Sequence, residues 1–335
     1  MRPLTARVLK LLADGEFHSG EMLATALEKS RGSIWHSIRE LEALGLDVYK
    51  VRGRGYRFAK ALSLLDEAEI RGHLGSLASR FSLELRPSVD STSTRLLERA
   101  VQGAPSGTVI AAEWQSGGRG RFGRVWHAAL GGGLVFSLLW RFPGGAGALS
   151  GLSLATGIAL ARAIEALGAG SIALKWPNDV LWDGRKLAGI LIELQGDALG
   201  PTAAVIGVGV NVRLTQTDHA GIDQPAADLE AACGIAPDRN LTLARILSEM
   251  HDTLDAFARE GFSPLRREWE RRHAYQDKPV TVILPGGVKV TGRARGVGED
   301  GAFLLETAAG LERHHSGEIS LRAVNRVMSD GCFSG

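Results

Sequence analysis

The hydrophobic pattern of this 335-residue chain changes twice, and each change limits the fold that the next segment can adopt. At the N-terminus, apolar residues recur at helical spacing in three short stretches. The middle of the chain alternates strand-like and helix-like stretches, and from Pro279 onward short β-like runs are separated by glycine-containing turns. Because a chain of this length usually divides into domains, the pattern predicts three structural units.

The first unit, predicted over residues 1–62, has the element order of a winged helix-turn-helix. Its predicted elements are helices over residues 5–13, 21–27 and 31–44 and a hairpin over 48–58. Residues 1–60 hold more Lys and Arg than Asp and Glu, which indicates contact with nucleic acid. The candidate DNA-binding residues on the third helix and the hairpin are Arg31, Ser33, Trp35, His36, Arg39, Arg52 and Arg54. A unit that serves only packing or dimerisation is the alternative.

The second and third units, predicted over residues 63–274 and 275–326, are an α/β domain and a small β-domain, followed by a tail over 327–335. Strands of the α/β domain are predicted over residues 109–114, 134–140, 172–176, 187–194 and 204–212, and helices over 91–101, 150–167, 241–259 and 264–272. Strands of the β-domain are predicted over residues 280–284, 288–297, 302–306 and 319–324, an arrangement typical of a small barrel.

A loop of alternating glycine and arginine follows the first predicted strand of the α/β domain. Within residues 117–126, Arg119, Arg121 and Arg124 alternate with glycines. Glycine lets backbone N–H groups approach an anion closely, and guanidinium supplies a permanent charge that matches phosphate and carboxylate. The pattern predicts a loop that closes over an anionic ligand. A flexible basic segment that binds RNA loosely is the alternative.

Three further motifs follow this loop: Lys-Trp-Pro-Asn-Asp at residues 175–179, Gly-Arg-Lys-Leu-Ala-Gly-Ile-Leu-Ile-Glu at 184–193 and Gly-Val-Gly-Val-Asn at 207–211. In this order the four motifs resemble the biotin protein ligases. The N-terminal unit extends the resemblance, from about Leu4 to Val324, to the bifunctional bacterial biotin ligases and biotin-operon repressors. The resemblance implies an N-terminal winged helix-turn-helix, a central α/β domain of the class II synthetase type with a mixed sheet, and a C-terminal SH3-like β-barrel.

The resemblance also implies an ATP-dependent reaction that forms biotinyl-5′-adenylate and then transfers biotin to a lysine of the biotin carboxyl carrier protein. Its ligands would be biotin, ATP and the Mg²⁺ that accompanies ATP. Fixed positive charge suits the first step, because negative charge builds on the phosphoryl oxygens when a carboxylate attacks the α-phosphate. The implied partners are the carrier protein, operator DNA and, when the adenylate is bound, a second copy of the chain.

The resemblance assigns roles to individual residues. Biotin would contact Ser91, Thr92, Ser93, Gln115, Arg119, Gly120, Arg121, Lys186, Gly189 and Leu191. The nucleotide would contact Arg121, Arg124, Trp126, Lys175, Asn178 and Asn211. The catalytic residues would include Lys186, Arg121 and Arg119, and no residue is assigned to a metal site. Asp179, close to Lys175 in sequence, is a further catalytic candidate that would receive or orient the ammonium group of the acceptor lysine; the alternative is that it caps a turn after Pro177. Because no Trp follows Asn211 until Trp269, residues 215–229 are expected to bind adenine without the tryptophan that some relatives use.

Several classes of protein and site are disfavoured. No uninterrupted apolar stretch reaches the length of a membrane span and the N-terminus lacks a signal-peptide pattern, so a cytoplasmic protein without a membrane partner is expected. Cys233 and Cys332 lack metal-ligand spacing, which fits a reducing compartment. The pair His314 and His315 is interpreted as a surface pair rather than a metal site. The absence of a Walker motif argues against a P-loop ATPase.

Three alternatives to a bifunctional ligase and repressor stay open. The first is a lipoate or octanoate transferase on the same catalytic fold. The second is a transcription regulator whose ligase-like domain only senses a small acid. The third is a ligase whose winged helix no longer reads DNA.

Overall fold

The computed structural model describes residues 1–196, 200–214, 224–315 and 320–323. Their strands form sheets of two, seven and five strands, one in each predicted unit, and the predicted fold class is confirmed. The predicted strand over 319–324 and the predicted adenine-binding stretch 215–229 lie partly outside the described residues. The tail over 327–335, including Cys332, lies wholly outside them.

The N-terminal unit folds as a winged helix-turn-helix. Its elements are α1 (Pro3–Leu12), α2 (Gly20–Leu27), α3 (Arg31–Ala43), β1 (Val48–Val51) and β2 (Gly55–Phe58). The hydroxyl groups of Ser19 and Ser30 accept hydrogen bonds from backbone N–H groups at the starts of α2 and α3, where a helix leaves such groups unpaired. Apolar side chains from the three helices and from β2 form a second core, which also includes Leu130 of the central unit and in which Val8, Ile34 and Ile38 are fully buried.

The central unit is built on a mixed sheet with the strand order β3-β4-β5-β9-β8-β7-β6. The strands are β3 (Ser82–Arg86), β4 (Thr108–Ala112), β5 (Gly133–Phe142), β6 (Ala173–Lys175), β7 (Asp179–Trp182), β8 (Arg185–Gly196) and β9 (Thr202–Asn211). β3 and β4 are parallel, and the other neighbours are antiparallel. β5 and β9 lie at the centre and are buried on both faces, which explains their nearly continuous apolar sequences.

Helices of the central unit cover this sheet. They are α4 (Glu67–Leu74), α5 (Thr92–Val101), α6 (Leu152–Glu165), α7 (Leu229–Cys233), α8 (Arg239–Glu260) and α9 (Arg266–Arg272). α6 is buried nearly all round, as its few charges predict, and it packs against α8. The stretch Ala146–Glu165 is long and apolar enough to cross a membrane by composition alone, but its α6 segment belongs to the main core.

The C-terminal unit is an antiparallel sheet with the strand order β13-β12-β11-β10-β14. The strands are β10 (Pro279–Ile283), β11 (Lys289–Val297), β12 (Phe303–Thr307), β13 (Gly310–His314) and β14 (Ser320–Ala323). Its buried side chains, such as Val280, Ala294 and Phe303, belong to the same core cluster as those of the central unit. The two units therefore pack against each other through a shared apolar core.

The structure contains elements that the sequence pattern did not predict. β3, β7, β13 and α7 each have only four or five residues, too few to show a clear hydrophobic period. The interpretation of the two adjacent histidines as a surface pair is wrong, because His314 is buried and His315 is exposed. His314 ends β13, and neighbouring residues of an extended chain point to opposite sides.

Buried polar groups hold the linker between the first two units. Arg239, at the start of α8, is 1% exposed, and its Nη1 donates to Glu113 Oε2 at 2.6 Å and to the backbone oxygen of Ser63 at 2.9 Å. The other carboxylate oxygen of Glu113 accepts from the backbone N–H of Leu65 at 2.6 Å. The next residue, Trp114, packs against the N-terminal core. One buried carboxylate thus connects the linker, α8 and the end of β4.

A buried histidine lies where the central and C-terminal units meet. The ring of His273 packs beside those of Trp269 and Phe303. Burial, opposed by a hydrogen bond with Gln276, lowers the pKa of His273 from its ordinary value of 6.5 to about 4. This histidine is therefore neutral at neutral pH, with Nδ1–H donating to the amide oxygen of Gln276.

We expect His273 to make the protein less stable as the pH falls from about 6.5 to about 4. The unfolded chain takes up the proton near pH 6.5, whereas the folded protein takes it up only near pH 4, so acid favours unfolding. The resulting loss in the free energy of unfolding is roughly 3 kcal/mol. Denaturant titrations at pH 7 and at about pH 4.5 measure it, with His273→Phe expected to lose less stability than the wild type. Equal losses in the two proteins would contradict the assignment.

Candidate active site

A cavity of about 430 Å³ lies between the central strands of the seven-stranded sheet and residues 117–126, here called the Arg-Gly loop. Every residue that the sequence assigned to biotin, nucleotide or catalysis lines it: Ser91, Thr92, Ser93, Gln115, Arg119, Gly120, Arg121, Arg124, Trp126, Lys175, Asn178, Asp179, Lys186, Gly189, Leu191 and Asn211. The fold thus brings four separated motifs to one place. The ligand contacts assigned to each residue stay predictions.

The Arg-Gly loop forms a short hairpin over the cavity. The backbone N–H of Gly120 donates to the backbone oxygen of Arg124 at 2.7 Å. At the tip, Phe122 has a positive φ of 58°, and the guanidinium group of Arg121 lies over its ring at 4.8 Å. Sequence reasoning did not assign Phe122 to the site, although it lines the cavity. Its ring packs against the cation that is most deeply placed in the loop.

The arginines of the loop have different environments. Burial lowers the pKa of Arg121, the carboxylate of Asp179 opposes this effect, and the neighbouring Arg124 adds to it. Since a guanidinium group stays charged, the lowered pKa means that an additional anion would stabilise Arg121. Arg119 instead pairs across the cavity rim with Glu193 of β8, at 3.1 Å between Nη2 and Oε1. The sequence reasoning did not single out Glu193.

Hydroxyl groups at the start of α5 form one wall of the cavity. Ser91 caps α5, and the backbone N–H of Thr92 donates to the amide oxygen of Gln115 at 2.7 Å. The hydroxyl groups of Thr92 and Ser93 lie 2.8 and 3.0 Å from that of Ser137 on β5. Ser137 was missed, although a lone polar residue in an apolar strand is a signal for such a network. Buried donors and acceptors of this kind suit a neutral polar ring.

Glycines of β9 make room for side chains that enter the cavity. A Cβ atom at Gly209 would lie 2.5 Å from the indole nitrogen of Trp126, and one at Gly207 would lie 2.6 Å from the hydroxyl oxygen of Ser93. Sequence reasoning gave these two glycines no role. Their spacing was the available signal, because glycines two apart on a strand mark a face that other groups approach closely.

One carboxylate holds both lysines of the cavity. Asp179 begins β7; its Oδ1 lies 2.6 Å from Nζ of Lys186, and its Oδ2 lies 3.3 Å from Nζ of Lys175. Burial would raise the pKa of Asp179, but the two ammonium groups outweigh it, so this pKa lies below its ordinary value. An ionised carboxylate with a lowered pKa is a weak base. The arrangement fixes two cations where an anionic ligand can reach them.

The side-chain amides of two predicted ligand-binding residues hold the backbone. Nδ2 of Asn178 donates to the backbone oxygen of Ile190 at 2.7 Å, and Nδ2 of Asn211 donates to that of Ala227 at 3.0 Å and that of Lys186 at 3.3 Å. Both amides therefore position β8, which carries Lys186. Across the described part of the chain, no group of three or more His, Cys, Asp and Glu side chains is placed to hold a metal ion.

A second candidate site lies on the winged helix. Of the predicted DNA-binding residues, those exposed are Arg31, Trp35, His36, Arg39, Arg52 and Arg54. Ser33 is half-buried and its hydroxyl lies 2.9 Å from that of Ser30 at the N-terminus of α3. Trp35 is 47% exposed, and its ring lies against His36 and beneath the guanidinium group of Arg39. An exposed tryptophan among cations is free to contact a base or sugar.

Fold and sites together define a DNA-binding protein that also carries an α/β domain with a cationic ligand cavity. An HTH domain family matches residues 5–57, the biotin/lipoate A/B protein ligase family matches residues 85–211, and the biotin protein ligase C terminal domain family matches residues 277–322. The bifunctional ligase/repressor BirA of Salmonella typhimurium is 39% identical over 96% of this chain and 98% of its own length. The chain belongs to the family of bifunctional biotin ligase/repressor proteins.

Two further similarities cover the ligase part. The biotin--[acetyl-CoA-carboxylase] ligase of Mycobacterium tuberculosis is 36% identical over 72% of this chain and 90% of its own length. The solved structure of the biotin protein ligase from Aquifex aeolicus in complex with biotin and ATP matches 72% of this chain and 99% of that chain, with a TM-score of 0.63 and 31% identity. The family recognised in the sequence motifs is thus confirmed.

Proposed function

We propose that the protein is an ATP-dependent biotin protein ligase and a transcriptional repressor of biotin synthesis genes. The ligase forms biotinyl-5′-adenylate and transfers biotin to a lysine of the biotin carboxyl carrier protein. The observation that carries this proposal is a single cavity with a neutral hydrogen-bonding wall on one side and the side chains of Arg121, Lys175 and Lys186 on the other. Such a cavity suits a ligand with a polar ring at one end and an acid group at the other.

The neutral wall and the cationic wall of the cavity bind different ends of biotin. The network of Ser91, Thr92, Ser93 and Gln115 binds the ureido ring, whose N–H and C=O groups need acceptors and donors. Gly189 and Leu191 line the path of the aliphatic chain toward Lys186. The carboxylate of biotin then lies near the cationic wall, with Gly120 and Arg119 of the Arg-Gly loop closing over it.

In the first step a carboxylate oxygen of biotin attacks the α-phosphorus of ATP. A P–O bond forms, the bond to the bridging oxygen breaks, and pyrophosphate leaves. Lys186 stabilises the carboxylate and the new phosphate ester, and Arg121 and Arg124 stabilise the triphosphate, because negative charge develops on these oxygens. Lys175 and Trp126 complete the nucleotide side of the cavity.

Mg²⁺ enters with the triphosphate in this proposal. The cavity offers Asp179 as its carboxylate, which two lysines already pair, and amides of Asn178 and Asn211 that hold the backbone. Because these side chains are already engaged, a Mg²⁺ ion bound here would take most of its ligands from phosphate oxygens and water. It would neutralise part of the phosphate charge, and the arginines and lysines of the cavity would stabilise the remaining charge.

In the second step Nζ of the acceptor lysine attacks the carbonyl carbon of the anhydride, AMP leaves, and the nitrogen loses a proton. The sequence made Asp179 the candidate to receive or orient the ammonium group of the acceptor lysine. Its lowered pKa makes it a poor proton acceptor, which favours the orienting role. The arriving ammonium group then competes with Lys175 for the same carboxylate.

Pyrophosphate release tests the ligase proposal. The full chain with biotin and Mg-ATP is expected to exchange pyrophosphate into ATP and then label a carrier domain with biotin. The same assay with lipoate is expected to show no exchange. Exchange that depends on lipoate instead of biotin would favour the transferase alternative, and no exchange with either acid would favour a sensor.

Repression predicts salt-dependent binding to a specific operator. Replacing Arg31 or Arg52 by alanine is expected to weaken binding to all DNA sequences. Each replacement is also expected to reduce the slope of log binding constant against log salt concentration by about one. Arg99→Ala, an exposed arginine on α5, serves as the control and is expected to change neither quantity. Binding titrations at several salt concentrations measure both. A shallow slope without sequence preference would show a ligase that has lost the repressor function.

The adenylate-bound protein forms a homodimer on operator DNA, which sedimentation with and without biotin and ATP tests. The protein works in the cytoplasm, where biotin, ATP and the carrier protein meet. Family membership supports both.

A further inference from the structure

The turn between β6 and β7 is flanked by the proposed active-site residues Lys175 and Asp179, and its first residue, Trp176, both lines the cavity and contacts the C-terminal unit. Trp176 is 1% exposed, and its indole N–H donates to the backbone oxygen of Gly301 at 3.2 Å. Its ring packs on Phe303 of β12 at 5.3 Å between centroids. The turn is thus hydrogen-bonded to the C-terminal unit at the residue that follows Lys175.

The acceptor of this hydrogen bond is itself held tightly. Gly301 has a positive φ of 76°, and a Cβ atom there would lie 2.7 Å from the Cα of Gly151. The hydroxyl group of Ser150 donates to the backbone oxygen of Asp300 at 2.6 Å. The segment before β12 therefore has little freedom to shift against the start of α6.

The same end of α6 contacts the turn from the other side. The hydroxyl group of Ser153 donates to the backbone oxygen of Pro177 at 2.9 Å. Together with the bond from Asn178 to Ile190, each residue of the turn has a hydrogen bond to a different element. β6 is fixed as well, because the backbone N–H of Ala274 donates to the backbone oxygen of Leu174 at 2.9 Å. Ala274 lies where the chain enters the C-terminal unit.

We infer that Trp176 is a positioning residue of the adenylation step. This inference rests on the proposed ligase function. The bond to Gly301 fixes the turn, and the turn sets where Lys175 and Asp179 stand relative to Lys186. The neutral wall lies on α5, β4 and β5, on the far side of the sheet order from β6 and β7, and does not depend on this bond. Loss of the bond therefore lowers the rate of adenylation and leaves biotin affinity unchanged.

Trp176→Phe tests this inference, since it keeps an aromatic ring on Phe303 and removes the N–H group. We expect kcat for biotin-dependent pyrophosphate exchange to fall about tenfold or more, because small displacements of reacting groups cost large factors in rate. KM and Kd for biotin are expected to stay within about twofold. Ser153→Ala, which frees the Pro177 side of the turn, is expected to lower kcat in the same selective way by about threefold.

Trp269→Phe is the matched control, because Trp269 is equally buried at the same junction and lies outside the cavity. It is expected to lower the unfolding midpoint like Trp176→Phe but to keep kcat within about twofold of wild type. Given a wild-type protein that exchanges pyrophosphate, two results would overturn the inference. In the first, Trp176→Phe and Ser153→Ala keep the kcat of the wild type. In the second, both variants lose kcat and biotin affinity together. A wild-type protein without biotin-dependent exchange would instead overturn the ligase proposal itself.

Discussion

Replacing Lys186 by alanine is expected to lower kcat for biotinyl-adenylate formation by about a hundred- to a thousandfold. Its ammonium group is 2.6 Å from Asp179 and lies over the indole ring of Trp126 at 5.5 Å, so it is held before any ligand arrives. A preorganised cation in a poorly solvated site stabilises charge that develops in the transition state without a cost of reorganisation. Pyrophosphate exchange at saturating biotin and ATP measures the loss.

Two companion variants separate charge from folding. Lys186→Arg keeps the charge but changes the reach and geometry of the donors, so its kcat is expected to lie between those of wild type and Lys186→Ala. Arg185→Ala removes the neighbouring cation, which pairs with the exposed Asp183 outside the cavity, and is expected to keep kcat within about twofold. A Lys186→Ala enzyme with wild-type kcat would contradict the proposed chemistry, and one without adenylation but with intact folding would support it.

The sequence predicted the long elements, and the site residues that it assigned all line one cavity, because both carry strong local signals. β5, β8, β9 and α6 are ten or more residues long, so their periods are clear. The motif residues converge because the loops and strands that carry them meet over the sheet centre, where β8 and β9 pair. The separate roles of these residues did not follow from the same signals.

Side-chain partners were less predictable, because they depend on register. Arg119 pairs with Glu193, which is seventy-four residues away in sequence, and no local pattern indicated this partner. Gly209 stands opposite Gly189 across β9 and β8, and only this pairing explains how the Trp126 ring fits against the sheet. A one-residue change in the register of β8 would turn the side chain of Glu193 to the other face of the sheet.

The burial of Arg239 could not be predicted from the sequence either. A charged residue at the start of a helix is usually exposed, and nothing near Arg239 in sequence indicates that its partner is Glu113, directly after the distant strand β4. The structure shows the pair almost fully buried, with side chains 2% and 9% exposed. The pair therefore depends on packing between residues that are far apart in sequence, which no local sequence pattern predicts.

Replacing Arg239 by methionine is expected to lower the free energy of unfolding by about 3–5 kcal/mol, because it leaves the Glu113 carboxylate buried without its cation. Ser63 also loses a donor to its backbone oxygen, so the linker to the winged helix should loosen. The double variant with Glu113→Gln is expected to recover much of the loss, since no uncompensated charge is left. Denaturant titration of the four proteins measures the coupling.

The partly exposed pair of Arg213 and Glu230 is the matched control, with a 2.8 Å contact but side chains 29% and 34% exposed. Arg213→Ala is expected to cost less than about 1 kcal/mol, because water solvates the remaining carboxylate. Similar losses in the free energy of unfolding for Arg239→Met and Arg213→Ala would mean that burial does not set the strength of the pair of Arg239 and Glu113. A double variant no more stable than Arg239→Met would mean that the loss comes from packing of the arginine side chain rather than from the stranded charge of Glu113.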